Sequence, residues 1–141
     1  MNTKSIEMAR ILTYIDIQKD IVKRFRITLD PNSKCWSRMH VHVKERRVCK
    51  YHYTNSIQAT FSLLHEVGHI ECYHSGMRRA EDEYAATVWA LKTAKDYGLT
   101  VPEKTIQEYQ DYIDREKARG ERRGGTGYGN LDLRLAMAKN F

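Results

Sequence analysis

The sequence predicts an α+β domain, mostly helical, with one small antiparallel β-hairpin. Three observations carry this. Apolar residues recur at helical spacing through most of the chain, while residues 35–43 alternate with period two. The chain has 141 residues, 41% hydrophobic and 30% charged, which suits one compact soluble domain over 1–141 that buries a real core. No apolar run approaches the length of a membrane span.

The elements follow in order. Over residues 5–25, Ile6, Ala9, Leu12, Ile15 and Val22 share a broad face, with Met8 and Ile11 at its edge, which predicts one long amphipathic helix. Residues 26–29 extend as a short strand, and Asp30-Pro31-Asn32-Ser33 is a turn signal. In 35–43, Met39, Val41 and Val43 face one way and Trp36, Arg38, His40 and His42 the other, as in a half-buried strand. A polar turn over 44–47 leads into a return strand over 48–53, completing the hairpin.

Asn55 and Gln58 have capping-box spacing, with Asn55 at the N-cap. Ile57, Phe61 and Leu64 then mark the apolar stripe of a helix. His74-Ser75-Gly76 ends it. A further helix covers about 80–97, with Gly98 as its C-terminal signal. Its Glu83, Ala86, Ala90 and Ala94 form a stripe of mostly small residues, suited to close packing. Thr100 and Glu103 read as the cap of the next helix, whose buried face carries Ile106, Tyr109 and Ile113. Residues 120–129 form a glycine-rich basic loop. The alternating leucines of 130–141 fit a strand or a short docked helix equally well.

Within the second of these helices stands His65-Glu66-Val67-Gly68-His69, an H-E-x-x-H motif. Positions i and i+4 lie one turn apart on one helix face. Two imidazoles placed so can both reach one Zn²⁺ at about 2.0–2.1 Å. Glu66 is rotated by roughly 100°, beside the metal, where it can take a proton from an attacking water. Gly68 lowers helix propensity, and its expected use is the close approach of another backbone. Catalytic zinc takes three protein ligands and keeps an open position. The downstream candidates for the third are His74, Glu81, Asp82 and Glu83. A third His six residues after His69 is absent, because position 75 is Ser. If the small-residue stripe faces the motif helix, Glu83 points at the metal.

The segment Glu83-Tyr84-Ala85-Ala86-Thr87-Val88-Trp89-Ala90 resembles the second motif of the ImmA/IrrE-type metallopeptidases. Thr87 stands where the family has an amide or acid, and Trp89 where it has Phe. The family's Leu-Leu-Met-Pro ending is missing. Thr60-Phe61-Ser62-Leu63-Leu64-His65-Glu66-Val67-Gly68-His69 is similar to that family's lead-in to its zinc helix. The likeness covers about residues 36–94, within a metal core of about 36–98. It implies a zincin-like fold and a gluzincin-like site, with His65, His69 and Glu83 as ligands to Zn²⁺ and Glu66 as general base. It also implies a protein substrate, since members cleave or inactivate helix-turn-helix repressors in phages, mobile elements and stress pathways.

Three function classes follow: a zinc endopeptidase acting on one regulatory protein, a non-proteolytic regulator or toxin/antitoxin-type protein with a structural zinc, and a different zinc hydrolase. An intact Glu66 favours an enzyme, because a structural site needs no base. Oxyanion donors are sought among Tyr73, His74, Tyr84 and Tyr128, and His40 and His42 are candidates to line the cleft. The net charge of +6 includes the clusters Lys44-Glu45-Arg46-Arg47 and Lys117-Ala118-Arg119-Gly120-Glu121-Arg122-Arg123. These read as a solvated turn and tail, or as contacts to nucleic acid or an acidic protein; no aromatic-interleaved basic motif supports nucleic acid. Cys35, Cys49 and Cys72 form no C-x-x-C pair, and the N-terminus has no apolar signal region. Both predict a reducing, cytoplasmic setting. Cys72, three residues past His69, reads as a packed hydrophobe or, less commonly, a ligand.

Overall fold

The computed structural model describes residues 13–34 and 38–140. The predicted helical positions up to Leu12, and Cys35 and Trp36 of the predicted strand, lie outside them. Among the described residues the fold is α+β and mostly helical, with five helices and one three-stranded sheet.

Helix α1 spans Tyr14–Arg24. Thr13 is its N-cap, in extended backbone, and forms a reciprocal capping box with Asp16. A residue that caps has left the helix, so the single helix expected over 5–25 does not run through Thr13. Ile17 and Ile21 of α1 enter the core.

Strands β1 (Thr28–Asp30), β2 (His40–His42) and β3 (Arg47–Cys49) form a sheet in the order β1-β3-β2. The predicted hairpin is present: β2 pairs antiparallel with β3, with His40 opposite Cys49 and His42 opposite Arg47. Two features differ from expectation. β1 pairs parallel with β3, so the sheet is mixed. The return strand also ends at Cys49, because Lys50 adopts a left-handed φ of 65° and turns its N–H to the Asp30 carbonyl. Arg46 also has a positive φ, of 50°, in the hairpin turn. Its guanidinium offsets that strain by donating to the Phe25 carbonyl at 2.6 Å and pairing with Glu71 of the motif helix.

Helix α2 (Ile57–Cys72) carries the H-E-x-x-H motif. Its cap is Ser56, whose Oγ accepts from the Ala59 N–H, and not Asn55. The Asn55 amide oxygen instead accepts from the Tyr14 N–H at the start of α1. Helix α3 (Arg79–Asp96) packs along α2 and is closed by Tyr97 and then Gly98, whose φ is 72°. Helix α4 (Glu103–Arg122) begins at Pro102 without a side-chain cap, so Thr100 does not fill that role; Glu103 pairs with Arg134. Pro suits a helix start because its missing N–H would be unsatisfied there anyway. α4 runs through Gly120, so the glycine-rich loop begins at Arg123, later than expected. Its neighbours Ala118, Arg119 and Glu121 are good helix formers, and a Cβ at Gly120 would collide with the Tyr128 hydroxyl. Helix α5 (Leu133–Asn140) settles the last segment as a docked helix, with Leu133 buried.

The core is formed mainly where the helices meet, from Ile17, Ile21, Phe61, Leu64, Val67, Ala90, Leu91, Ile106, Ile113 and Leu133, with Val48 contributed by the sheet. Among the described residues no helix is long and apolar enough to cross a membrane.

Candidate metal centre

The α2–α3 contact positions the site. The predicted small-residue stripe faces α2: Glu83, Ala86, Ala90 and Ala94 are all buried. At Gly68 the backbone of α2 lies directly against Ala86 of α3. A Cβ there would sit 2.5 Å from the Ala86 carbonyl oxygen. Only a residue without a side chain permits this approach, which carries Glu83, one turn before Ala86, over the two histidines.

His65, His69 and Glu83 are buried, and their ligand-type atoms lie within 4.8 Å of one another. Glu83 Oε2 is 3.1 Å from His65 Nε2 and 3.3 Å from His69 Nε2. Yet neither His65 Nε2 nor Glu83 Oε2 has a partner in hydrogen-bonding geometry. Buried polar atoms are ordinarily satisfied. Two imidazole nitrogens and a carboxylate oxygen that converge without bonding each other fit a bound cation, and this N₂O set matches a three-ligand zinc site.

The other third-ligand candidates are engaged elsewhere. His74 is exposed beyond the end of α2, with its Nδ1 3.2 Å from the Ser75 carbonyl. Glu81 holds the Arg78 guanidinium through two contacts, at 2.7 and 2.9 Å. Asp82 Oδ1 lies 3.1 Å from His69 Nδ1. Cys72 Sγ rests on the Ala85 carbonyl. The Thr87 hydroxyl closes back on the Glu83 carbonyl at 2.7 Å.

Electrostatics match the geometry. Burial alone raises a carboxylate and lowers an imidazole. For Glu83 burial is outweighed by His65 and His69, and its carboxyl is held down at about 2. For His69 burial is outweighed by Asp82 and Glu83, and its imidazole is raised to about 10. His65 is raised by Glu66 and Glu83 against its burial. Carboxylates thus hold both imidazoles, His65 through Glu66 and Glu83 and His69 through Asp82 and Glu83, while Arg79 lies 3.5 Å from the other Glu83 oxygen.

The three residues border a cleft of about 740 Å³, together with Glu66. Glu66 is only 16% exposed at its side chain, and its Oε1 is 3.8 Å from His65 Nδ1. One wall is β2, the edge strand of the sheet, so His40 and His42 do line the cleft. The opposite wall is α4, with Tyr109 and Tyr112. Tyr109 packs against His65, ring centroids 4.7 Å apart. Burial pushes its phenol up to about 12, with Ser62 pulling the other way.

The predicted oxyanion donors lie elsewhere. Tyr73 is 52% exposed beyond α2, Tyr84 packs against the core, and Tyr128 lies under Arg78. None of these, nor His74, lines the cleft. Tyr109, Tyr112 and Arg79 do, and Arg79 donates to the Tyr112 hydroxyl at 2.9 Å. Tyr109 was legible as a buried-face residue of α4, but nothing local said that this face meets the motif helix.

The basic cluster at 44–47 is largely neutralised within the fold: Arg46 pairs with Glu71 and Arg47 with Glu45. Comparison of the chain with protein-family models, curated proteins and solved structures returns no match.

Proposed function

We propose that this chain is a zinc-dependent endopeptidase on a zincin-like scaffold, hydrolysing peptide bonds in a specific regulatory protein. The observation that carries the reading is the buried His65–His69–Glu83 triangle with Glu66 beside it at the floor of an open cleft. His65, His69 and Glu83 would hold the ion, which when bound supplies Lewis acidity and lowers the pKa of water to about 7.

The chain's own groups supply the rest. Glu66 accepts the proton of the attacking water and delivers it to the leaving amine. Tyr109, kept neutral by burial, offers an O–H donor for the developing oxyanion. The free edge of β2 offers backbone groups to an extended peptide, which would add to the sheet as a further strand. That mode favours a flexible protein segment over a small molecule. The likeness to ImmA/IrrE-type peptidases supplies the substrate class, a helix-turn-helix repressor of a phage, mobile element or stress pathway.

The test pairs the zinc-loaded protein with the repressor encoded nearest its gene, using wild type and Glu66→Gln. Wild type should cleave the repressor, and Glu66→Gln should keep its metal and leave the repressor intact. If Glu66→Gln relieves repression as fully as wild type, the chain acts by binding, and the peptidase reading is wrong.

A further inference from the structure

We propose that His40, His42 and Cys49 form a second metal site, in the hairpin wall of the cleft, that takes a borderline-soft transition-metal ion such as zinc through two imidazoles and one thiolate. The strand register brings the three together. Successive side chains of a strand point to opposite faces, so His40 and His42 share one face. Residues directly opposite in an antiparallel pair share a face as well, and Cys49 is opposite His40. Their ligand-type atoms lie within 4.8 Å of one another. A tetrahedral ion holds two such donors about 3.3–3.6 Å apart, from bonds of roughly 2.0–2.3 Å. Small side-chain rotations therefore close the set.

Two further observations point to a ligand. His42 Nε2 is buried and has no hydrogen-bond partner, the condition that a metal–nitrogen bond relieves. Cys49 is fully buried as a free thiol. Arg47, opposite His42, pairs with Glu45, which offsets its charge beside the ion. The N₂S donor set selects zinc or copper(I) over magnesium, calcium or manganese, which prefer oxygen.

The site is separate from the first centre in ligands but not in place. His40 and His42 line the same cleft as His65 and Glu66, while Cys49, opposite His40, is buried and does not. An ion there would tie edge strand β2 to β3 and fix the wall against which a peptide would lie. This inference does not depend on the peptidase reading.

Sulfur makes the two centres distinguishable, because His65, His69 and Glu83 supply none. The full chain is loaded with cobalt(II), and metal stoichiometry is read by native mass spectrometry. Wild type should bind about two ions per chain and show a near-ultraviolet thiolate-to-cobalt charge-transfer band. The band should persist in a His65→Ala/His69→Ala variant and vanish in Cys49→Ser, which should retain one ion. Because Cys49 is buried, His42→Gln is the second variant; its cobalt affinity at this site should fall by about ten-fold or more. A wild-type protein that binds cobalt without the band overturns the proposal. So does a band unchanged in Cys49→Ser, or an affinity unchanged in His42→Gln.

Discussion

Asp82 Oδ1 lies 3.1 Å from His69 Nδ1, and this contact decides which nitrogen of His69 faces Glu83. With Nδ1 donating to the carboxylate, Nε2 is left as the ligand atom. Metal-bound histidines are commonly held this way, and removing the orienting carboxylate typically costs 10–100-fold in metal affinity. Asp82→Ala should therefore weaken zinc at the H-E-x-x-H centre by about 10–100-fold without unfolding the protein. Asp82→Asn keeps an acceptor oxygen and should lose less. Competition with a chromophoric chelator reads both, and equal affinity in Asp82→Ala and wild type would remove Asp82 from the site.

Glu83 differs from Asp82 in kind, because it approaches both imidazoles at their Nε2 atoms. Glu83→Ala should cost the chain one equivalent of zinc relative to wild type, as should His65→Ala. Full metal content in Glu83→Ala would refute its assignment as third ligand. Imidazole and carboxylate ligands bind as their free bases, so acidification should release this zinc, with proton uptake. Elemental analysis after dialysis across a pH series gives the readout.

Gly68→Ala tests the packing that brings Glu83 over the histidines. In an isolated helix the change would help by about 1 kcal/mol. Here the new Cβ meets the Ala86 carbonyl at 2.5 Å, and a backbone atom in the middle of a helix cannot rotate away. Overpacking of this kind costs about 1–3 kcal/mol, so the net effect should be destabilisation of up to about 2 kcal/mol. Zinc affinity should fall with it, because pushing α3 away moves Glu83. Urea unfolding of metal-free protein separates the two effects. A stabilised Gly68→Ala would mean the helices are not in contact at this point.

The α2–α3 geometry was legible because both helices write it in their spacing: His65 and His69 one turn apart, and Glu83 at the head of the Ala86–Ala90–Ala94 stripe. Periodicity reports which residues share a face, and two faces of small residues and ligands find each other. It does not report competition from distant chain. Asn55 has a good capping position, but the Tyr14 N–H, 41 residues away in sequence, takes its side chain and leaves the cap to Ser56. The parallel pairing of β1 with β3 is likewise non-local, since no turn joins them. The His40–His42–Cys49 cluster was half-visible: the period-two histidines were plain, while the position of Cys49 needed the register.

Gln18 shows a buried polar network that helical spacing could not reveal. It is fully buried in α1. Its amide nitrogen donates to the Thr54 carbonyl at 2.7 Å and to Thr60 Oγ1 at 2.8 Å, while its oxygen accepts from Tyr51 at 2.6 Å. Burial, with Tyr53 nearby, raises the Tyr51 phenol well above its ordinary value. The fold thus favours the neutral phenol. Its contribution is complete below the unfolded pKa of about 10 and is lost as pH rises toward the folded value. Tyr51→Phe should lower stability by about 1 kcal/mol at neutral pH and flatten the alkaline fall in stability. Urea midpoints at about pH 7 and about pH 11 test this; an unchanged alkaline slope in the variant would exclude Tyr51 as its source.

On the proposed peptidase reading, Tyr109 is the cleft residue placed to donate to the developing oxyanion. Its ring is wedged between Phe61 and His65, with centroids 5.2 and 4.7 Å away. That packing fixes the ring beside His65, and burial, which raises its phenol to about 12, keeps its hydroxyl protonated at neutral pH. Removing one oxyanion donor costs about 10²–10³-fold in kcat. Tyr109→Phe should show that loss with zinc content unchanged, because the ring that packs on His65 remains. Tyr112 borders the same cleft but already accepts a hydrogen bond from Arg79, so Tyr112→Phe should cost less. Single-turnover cleavage of the identified substrate measures both. If Tyr112→Phe shows the larger fall in kcat, the donor is Tyr112, and the Arg79 contact serves to polarise it.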